Sequence, residues 1–166
     1  MTAADGAGSA APQEAARSAT TADLGDLVGL AKAAVAEKLE QKGGPVWARR
    51  EARRTPEATL AAAVEDGDHE VAVGTLDGTP VGYGVARVEL LDDGGRLGVV
   101  EDLYVDPGCR AVGVGEALMD HLLAWCQAQG CFGVDSLALP GDRSTKNFFE
   151  SFGLVARAIV VHRAFD

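Results

Sequence analysis

Cysteine and histidine are scarce in this chain, with three of each in 166 residues. Cys109, Cys126 and Cys131 cannot all pair and show no metal-ligand spacing, so they read as reduced thiols of a cytoplasmic protein. His69, His121 and His162 share no short spacing, which leaves no metal site to expect. Positive charge is also short: 15 basic against 25 acidic side chains give a formal charge of −10. That balance repels nucleic acid and favours the approach of cationic molecules. No apolar run nears the about 18 residues that cross a bilayer, so no membrane span is expected. The N-terminus lacks a basic stretch followed by an apolar core, so no signal peptide is expected.

The length suits one domain with one core. Residues 1–18 are alanine-rich and poor in large apolar side chains and read as a flexible tail, with residues 19–166 as the domain. The tail either stays disordered or docks on a neighbour, which leaves room for a homodimer.

Glycine is abundant at 21 residues, and two of them carry chemistry. The apolar strand pattern Leu97–Val105 ends at Asp106-Pro107. Arg110, Gly113 and Gly115 follow, then a helix with Val114, Leu118, Leu122 and Trp125 on one face, widened by Met119, Leu123 and Cys126. Glycine backbone can approach a ligand closely, and the orphan N–H groups and positive dipole end of the helix face the same loop. Arg110 adds a planar cationic fork. This combination suits a phosphate chain. A dinucleotide fingerprint would need a third glycine where Leu118 stands, so that reading fails. A tight strand-to-helix turn is the structural alternative for the glycine pair alone. Cys109, beside the loop, reads as a small apolar filler rather than a nucleophile.

Elsewhere the elements follow local signals. Thr20 or Thr21 caps a helix with Leu24, Leu27, Val28, Ala31, Val35 and Leu39 on one face, stopped by Gly43-Gly44-Pro45. Thr55-Pro56-Glu57 starts a second helix running to Glu65. Between them Arg49, Arg50, Arg53 and Arg54 read from the charge run alone as a solvated basic face. Residues 70–76 and 80–90 are strands joined by Asp77-Gly78, a hairpin turn, and Asp92-Asp93-Gly94-Gly95 leads into the Leu97 strand. A right-handed crossover through the Gly113 helix brings residues 133–139 parallel to that strand. A last helix over 144–152 and a closing strand over 154–165 complete the chain.

With Arg110 included, Arg110-Ala111-Val112-Gly113-Val114-Gly115 resembles the acyl-CoA-binding motif Gln/Arg-x-x-Gly-x-Gly/Ala of the GNAT superfamily of N-acyltransferases. Residues 100–107 resemble its fourth strand, and residues 147–154 its last helix and turn. The resemblance implies an α+β fold: a mixed, mostly antiparallel sheet with helices on both faces and a splayed parallel strand pair holding CoA. It implies acetyl-CoA as cosubstrate, no metal, and a primary amine of a small molecule or peptide as acceptor, with the segment carrying Arg49, Arg50, Arg53 and Arg54 as a wall of the acceptor groove in place of a solvated face. Leu103, Tyr104 and Val105 would lie along the pantetheine arm, with one of their N–H groups holding the thioester carbonyl.

For deprotonation of the amine the candidates are Glu101 and Asp102, which simple strand alternation places on opposite faces. Glu101, expected to share a face with Leu103 and Val105, is the candidate base. The structural alternative is that either carboxylate pairs with an arginine. The chain also departs from the family pattern. The family's Phe-Tyr-Glu, whose tyrosine is the usual general acid, is Phe148-Phe149-Glu150 here. The pantetheine-binding asparagine is matched either by Asp142, at the expected spacing, or by Asn147. Ala111 and Val112 replace the usual glycine and basic residue of the loop. An acyl-CoA-binding module with little catalysis is therefore the second reading.

Overall fold

A computed structural model describes residues 10–165. The first nine residues of the expected tail lie outside the described residues. The sheet has five strands in sequence order: β1 (Glu14–Ser18), β2 (His69–Leu76), β3 (Thr79–Leu90), β4 (Arg96–Val105) and β5 (Gly133–Ser136). The first four are antiparallel neighbours, and β5 lies parallel to β4. Asp77 and Gly78 both take positive φ, 49° and 79°, as a two-residue hairpin turn requires.

Helices cover both faces. On one, α1 (Leu24–Leu39) and α3 (Pro56–Glu65) bury Leu27, Ala31, Leu60 and Ala63 against Val71, Val73, Tyr83 and Val85. On the other, α4 (Val114–Ala128) buries Val114, Leu118, Leu122 and Cys126 against Ala72, Ala86 and Val100. Those four α4 residues recur at i, i+4 and form one ridge, and glycines in the strands receive it. A Cβ on Gly74 would meet Val114 at 2.7 Å, one on Gly84 would meet Leu122 at 2.8 Å, and one on Gly98 would meet Cys126 at 2.7 Å. Part of the glycine abundance is thus a channel that lets α4 sit close to the sheet. Burial there pushes the Cys126 thiol up to about 11, so it is inert.

Four sequence expectations need correction. Residues 14–18 are not tail but the edge strand β1. Its small and charged side chains carry little strand propensity, and its backbone pairing with β2 decides. Gly43-Gly44-Pro45 ends α1 but also begins a further helix, α2 (Gly44–Arg50), with proline in its first turn. The closing strand does not form: residues 154–165 carry no helix or strand and are mostly exposed. Finally, β4 carries a bulge. Ala86 faces Val100 and Val85 faces Asp102, so Glu101 is the extra residue.

Candidate active site

The bulge resets which side chains face which helix. Val100, Leu103 and Val105 pack in the α4 core, and Tyr104 packs with Tyr83 on the α1 side. Asp102 faces Val85 and therefore the α1 side, and Glu101 reaches the same side, where it meets Arg53 and Arg87. The expected opposition of the two carboxylates is wrong, because the inserted residue breaks the period of two. Glu101 does not share a face with Leu103 and Val105.

Both carboxylates converge on Arg53. Its Nε donates to Asp102 at 2.8 Å and an Nη to Glu101 at 3.2 Å, and its side chain is only 12% exposed. Arg87 Nε donates to the second Glu101 oxygen at 2.8 Å. Glu101 therefore has both oxygens engaged, whereas among the described residues only Arg53 donates to Asp102, at Oδ2. Of the four arginines after α1, Arg53 alone is drawn into this network. Arg49, Arg50 and the bulk of that segment form the solvated face.

Beside the acidic pair the strands part. The parallel register of β4 and β5 ends at Val100 and Ser136, where the Ser136 hydroxyl donates to the Val100 carbonyl at 3.1 Å. From Glu101 to Val105, β4 has no strand paired on that side among the described residues. A cavity of about 310 Å³ opens there. Leu103, Tyr104, Val105, Arg110, Ala111, Gly115 and Phe149 line it, with Glu101 and Asp102. Lys38, Gln41 and Trp47 of the α1–α2 corner and Tyr83 close its other wall.

At one end of the cavity lies the glycine loop. Gly113 takes φ 96° as the N-cap of α4, and Ala111 also has a positive φ, 63°. The backbone is thus turned as an anion cradle requires, with alanine tolerated in a conformation glycine favours. A Cβ on Gly113 would meet the Glu14 side chain at 3.1 Å, so β1 backs the loop. Val114 is core, and Val112, Gly113, Val114 and Asn147 are outside the cavity lining.

Arg110 is at the loop entrance, where its Nε and one Nη are engaged. Nε donates to the Val105 carbonyl at 2.8 Å, an Nη to Glu37 of α1 at 2.7 Å, and the guanidinium lies over the Tyr104 ring. It braces the end of β4 against α1.

The last helix, α5 (Arg143–Ser151), closes the cavity with Phe148 and Phe149. Asp142 is its N-cap, accepting from Thr145 N at 3.0 Å and from the Ser144 and Thr145 hydroxyls and the Gln41 amide. Burial alone would raise the Asp142 pKa, but these donors outweigh it and hold the carboxyl below its usual range. Asp142 lines the cavity and Asn147 does not. The buried Gln41 Oε1 accepts no hydrogen bond from the described residues. Lys38 lies over the Trp47 ring at 4.7 Å, and burial lowers its pKa against the pull of Asp102, Asp142 and Glu37. Burial, with Asp102 nearby, raises the Tyr83 pKa so that its phenol stays neutral.

Sequence reading missed Glu37, Lys38, Gln41, Trp47 and Tyr83 as cavity residues. Val35, expected on the core face of α1, lines the cavity too. Among the described residues no cluster of three or more His, Cys, Asp or Glu side chains could hold a metal, and no helix is long and apolar enough to cross a membrane.

The model of the acetyltransferase (GNAT) family matches residues 26–154. No curated protein matches the sequence. Among solved structures, the aminoglycoside N-acetyltransferase AAC(6')-Iy, solved with a CoA-S-monomethyl-acetylneamine bisubstrate analogue, superposes with a TM-score of 0.73 at 16% identity, over 93% of this chain and 99% of that one. Glucosamine-6-phosphate N-acetyltransferase from Arabidopsis thaliana superposes at 0.66 with 21% identity, over 93% and 99% of the two chains. A putative acetyltransferase from Agrobacterium tumefaciens superposes at 0.66 with 20% identity, over 91% and 99%. At these identities the likeness is one of fold.

Proposed function

Because the chain belongs to the GNAT family of acetyltransferases, we propose that it transfers an acetyl group from acetyl-CoA to a primary amine of a small molecule or peptide in the cytoplasm. The observation that carries this reading is the continuity of one cavity from the Ala111–Gly115 loop, along the unpaired edge of β4, to the acidic pair. The loop fits a pyrophosphate: two residues with positive φ precede a fifteen-residue helix whose orphan N–H groups lie at its start. Acetyl-CoA supplies the activated acyl thioester.

The chain's own groups meet the remaining demands. Backbone N–H groups of Leu103 to Val105, left without a β5 partner, are the donors proposed for the carbonyl oxygen as it gains charge. The Glu101–Asp102 pair takes the amine proton. Glu101, the sequence candidate, has both oxygens committed to arginines, so Asp102 Oδ1 is the open acceptor and Glu101 its charged neighbour. The departing thiolate needs a proton that Phe149 cannot give. Ser144 donates its own to Asp142 at 2.9 Å, so water or the protonated amine supplies it. Leu103, Tyr104, Val105, Arg110, Ala111, Val112, Gly113, Val114, Gly115 and Phe149 remain the residues proposed around CoA, with Val114 acting only through packing. Asn147 faces solvent, and Asp142 is the better placed of the two candidates beside α5.

A panel of small and peptide amines with acetyl-CoA, read by release of free thiol, tests the proposal. Release that depends on one amine class is the expected result. The missing hydroxyl at Phe149 favours one other reading, a CoA-binding module. CoA binding without thiol release for any amine would establish that instead.

A further inference from the structure

The cations along the cavity are placed unequally. Among the described residues that line it, only Arg110 and Lys38 are cationic. Arg110 is at the loop end, with Nε on the Val105 carbonyl and an Nη on Glu37. Lys38 is at the α1–α2 corner, and its ammonium has no ion-pair partner among the described residues. The carboxylates that pull on it, Asp102, Asp142 and Glu37, bond to other groups. Glu37 accepts from Arg110, Asp102 from Arg53, and Asp142 from Gln41, Ser144 and Thr145.

A lysine in the last turn of α1 suits the helix dipole. That role requires no desolvation, yet this ammonium is held over the ring of the buried Trp47 at 4.7 Å, and burial lowers its pKa. A half-buried ammonium with unused donors is a place for an anion. The surrounding charges decide which kind. A phosphate dianion would face three carboxylates with one cation, whereas one ammonium matches one carboxylate. An amine on the same small molecule would meet Asp102, whose Oδ1 accepts from none of the described residues.

We propose that the acceptor is a small aminocarboxylate, its carboxylate held by Lys38 and its amine presented to Asp102. This inference rests on the acetyltransferase reading above and names the substrate class of that site. Such a zwitterion has no net charge, so the formal charge of −10 does not repel it. Lys38 then serves substrate choice, and the acidic pair serves the chemistry.

The test pairs aminocarboxylates, from α-amino acids to longer ω-amino acids, with their carboxamides, and adds diamines and aminoalkyl phosphates. Thiol release from acetyl-CoA gives kcat/KM, and calorimetry on the protein saturated with CoA gives binding without turnover. At least one carboxylate should be preferred over its amide by about tenfold or more in both readouts, the effect expected of one charge-assisted hydrogen bond. Lys38→Gln should bring that ratio close to one, through KM, with far-UV circular dichroism unchanged, and Lys38→Arg should restore part of it. Thiol release from amides, diamines or phosphates in preference to the carboxylates would overturn the proposal and leave the acetyltransferase reading standing. Preferential binding of carboxylates without thiol release would support the Lys38 site and remove that reading. A preference that survives in Lys38→Gln would overturn the proposal, because another group would then hold the carboxylate. So would a panel in which no carboxylate binds.

Discussion

On the α4 face the cradle loop is positioned by apolar packing, a helix ridge seated on glycines. On the α1 face the acidic pair is positioned by charge, through Arg53 and Arg87. The first arrangement is made of backbone and volume and is insensitive to salt and pH. The second keeps two adjacent carboxylates together only while guanidinium groups neutralise them. The half proposed to hold CoA is therefore set by packing, and the half proposed for the chemistry by charge.

The largest effect should come from removing the central charge. Arg53→Ala leaves Glu101 and the half-buried Asp102 facing each other, and should destabilise the fold by about 3 kcal/mol. The urea midpoint measures it, and Arg53→Lys should recover only part, since an ammonium cannot span both carboxylates. The matching break on the other face is Gly84→Val. Its Cβ would press on Leu122, nominally at 2.8 Å, and overpacking should cost about 1–3 kcal/mol. This variant should also weaken CoA binding, because α4 carries the cradle, and calorimetry would show whether the two losses go together.

Arg110 joins the two halves, from the end of β4 to Glu37 of α1. Arg110→Glu should weaken CoA binding by about 1.5–3 kcal/mol, the loss of a charge-assisted hydrogen bond. Unchanged affinity would show that its bracing is dispensable.

Acid should separate the faces. The Arg17 guanidinium, outweighing burial and aided by the Thr20 N–H, holds the Asp23 carboxyl well below the usual range at the start of α1. A depressed folded pKa contributes stability above the unfolded value, about 3.9. That stability is lost as pH falls below it. Hydrogen exchange between pH 5 and pH 3, roughly the window around that unfolded value, should therefore show α1 losing protection before α4. The smallest effect is expected from Phe149→Tyr, which adds one hydroxyl to a buried ring that lines the cavity. Thiol release should change by no more than about twofold if water already protonates the thiolate, and a large gain would show that the missing acid limits the rate.

The same division explains what the sequence made legible. The loop and the helix after it were readable because Arg110, Gly113, Gly115 and the α4 ridge are local: spacing alone sets a loop at a helix start. So were the Asp77-Gly78 turn and the Thr55-Pro56 helix start. The acidic pair was found, but its geometry was not, because alternation assumes an uninterrupted strand and nothing in VVEDLYV marks Glu101 as the inserted residue. Arg53, forty-nine positions from Asp102, was one of four similar arginines until the fold selected it. Residues 154–165 were misread for a related reason: their strand propensity is real, but a strand also needs an edge to pair with, and propensity does not supply one.

The most direct test of the account is the rate of thiol release from acetyl-CoA with an accepting amine, measured across pH for the wild type and for Asp102→Asn. The account predicts a loss of about 10²–10⁴-fold in Asp102→Asn, with CoA affinity preserved. A variant with the wild-type rate and profile would contradict it, and would remove Asp102 from the chemistry.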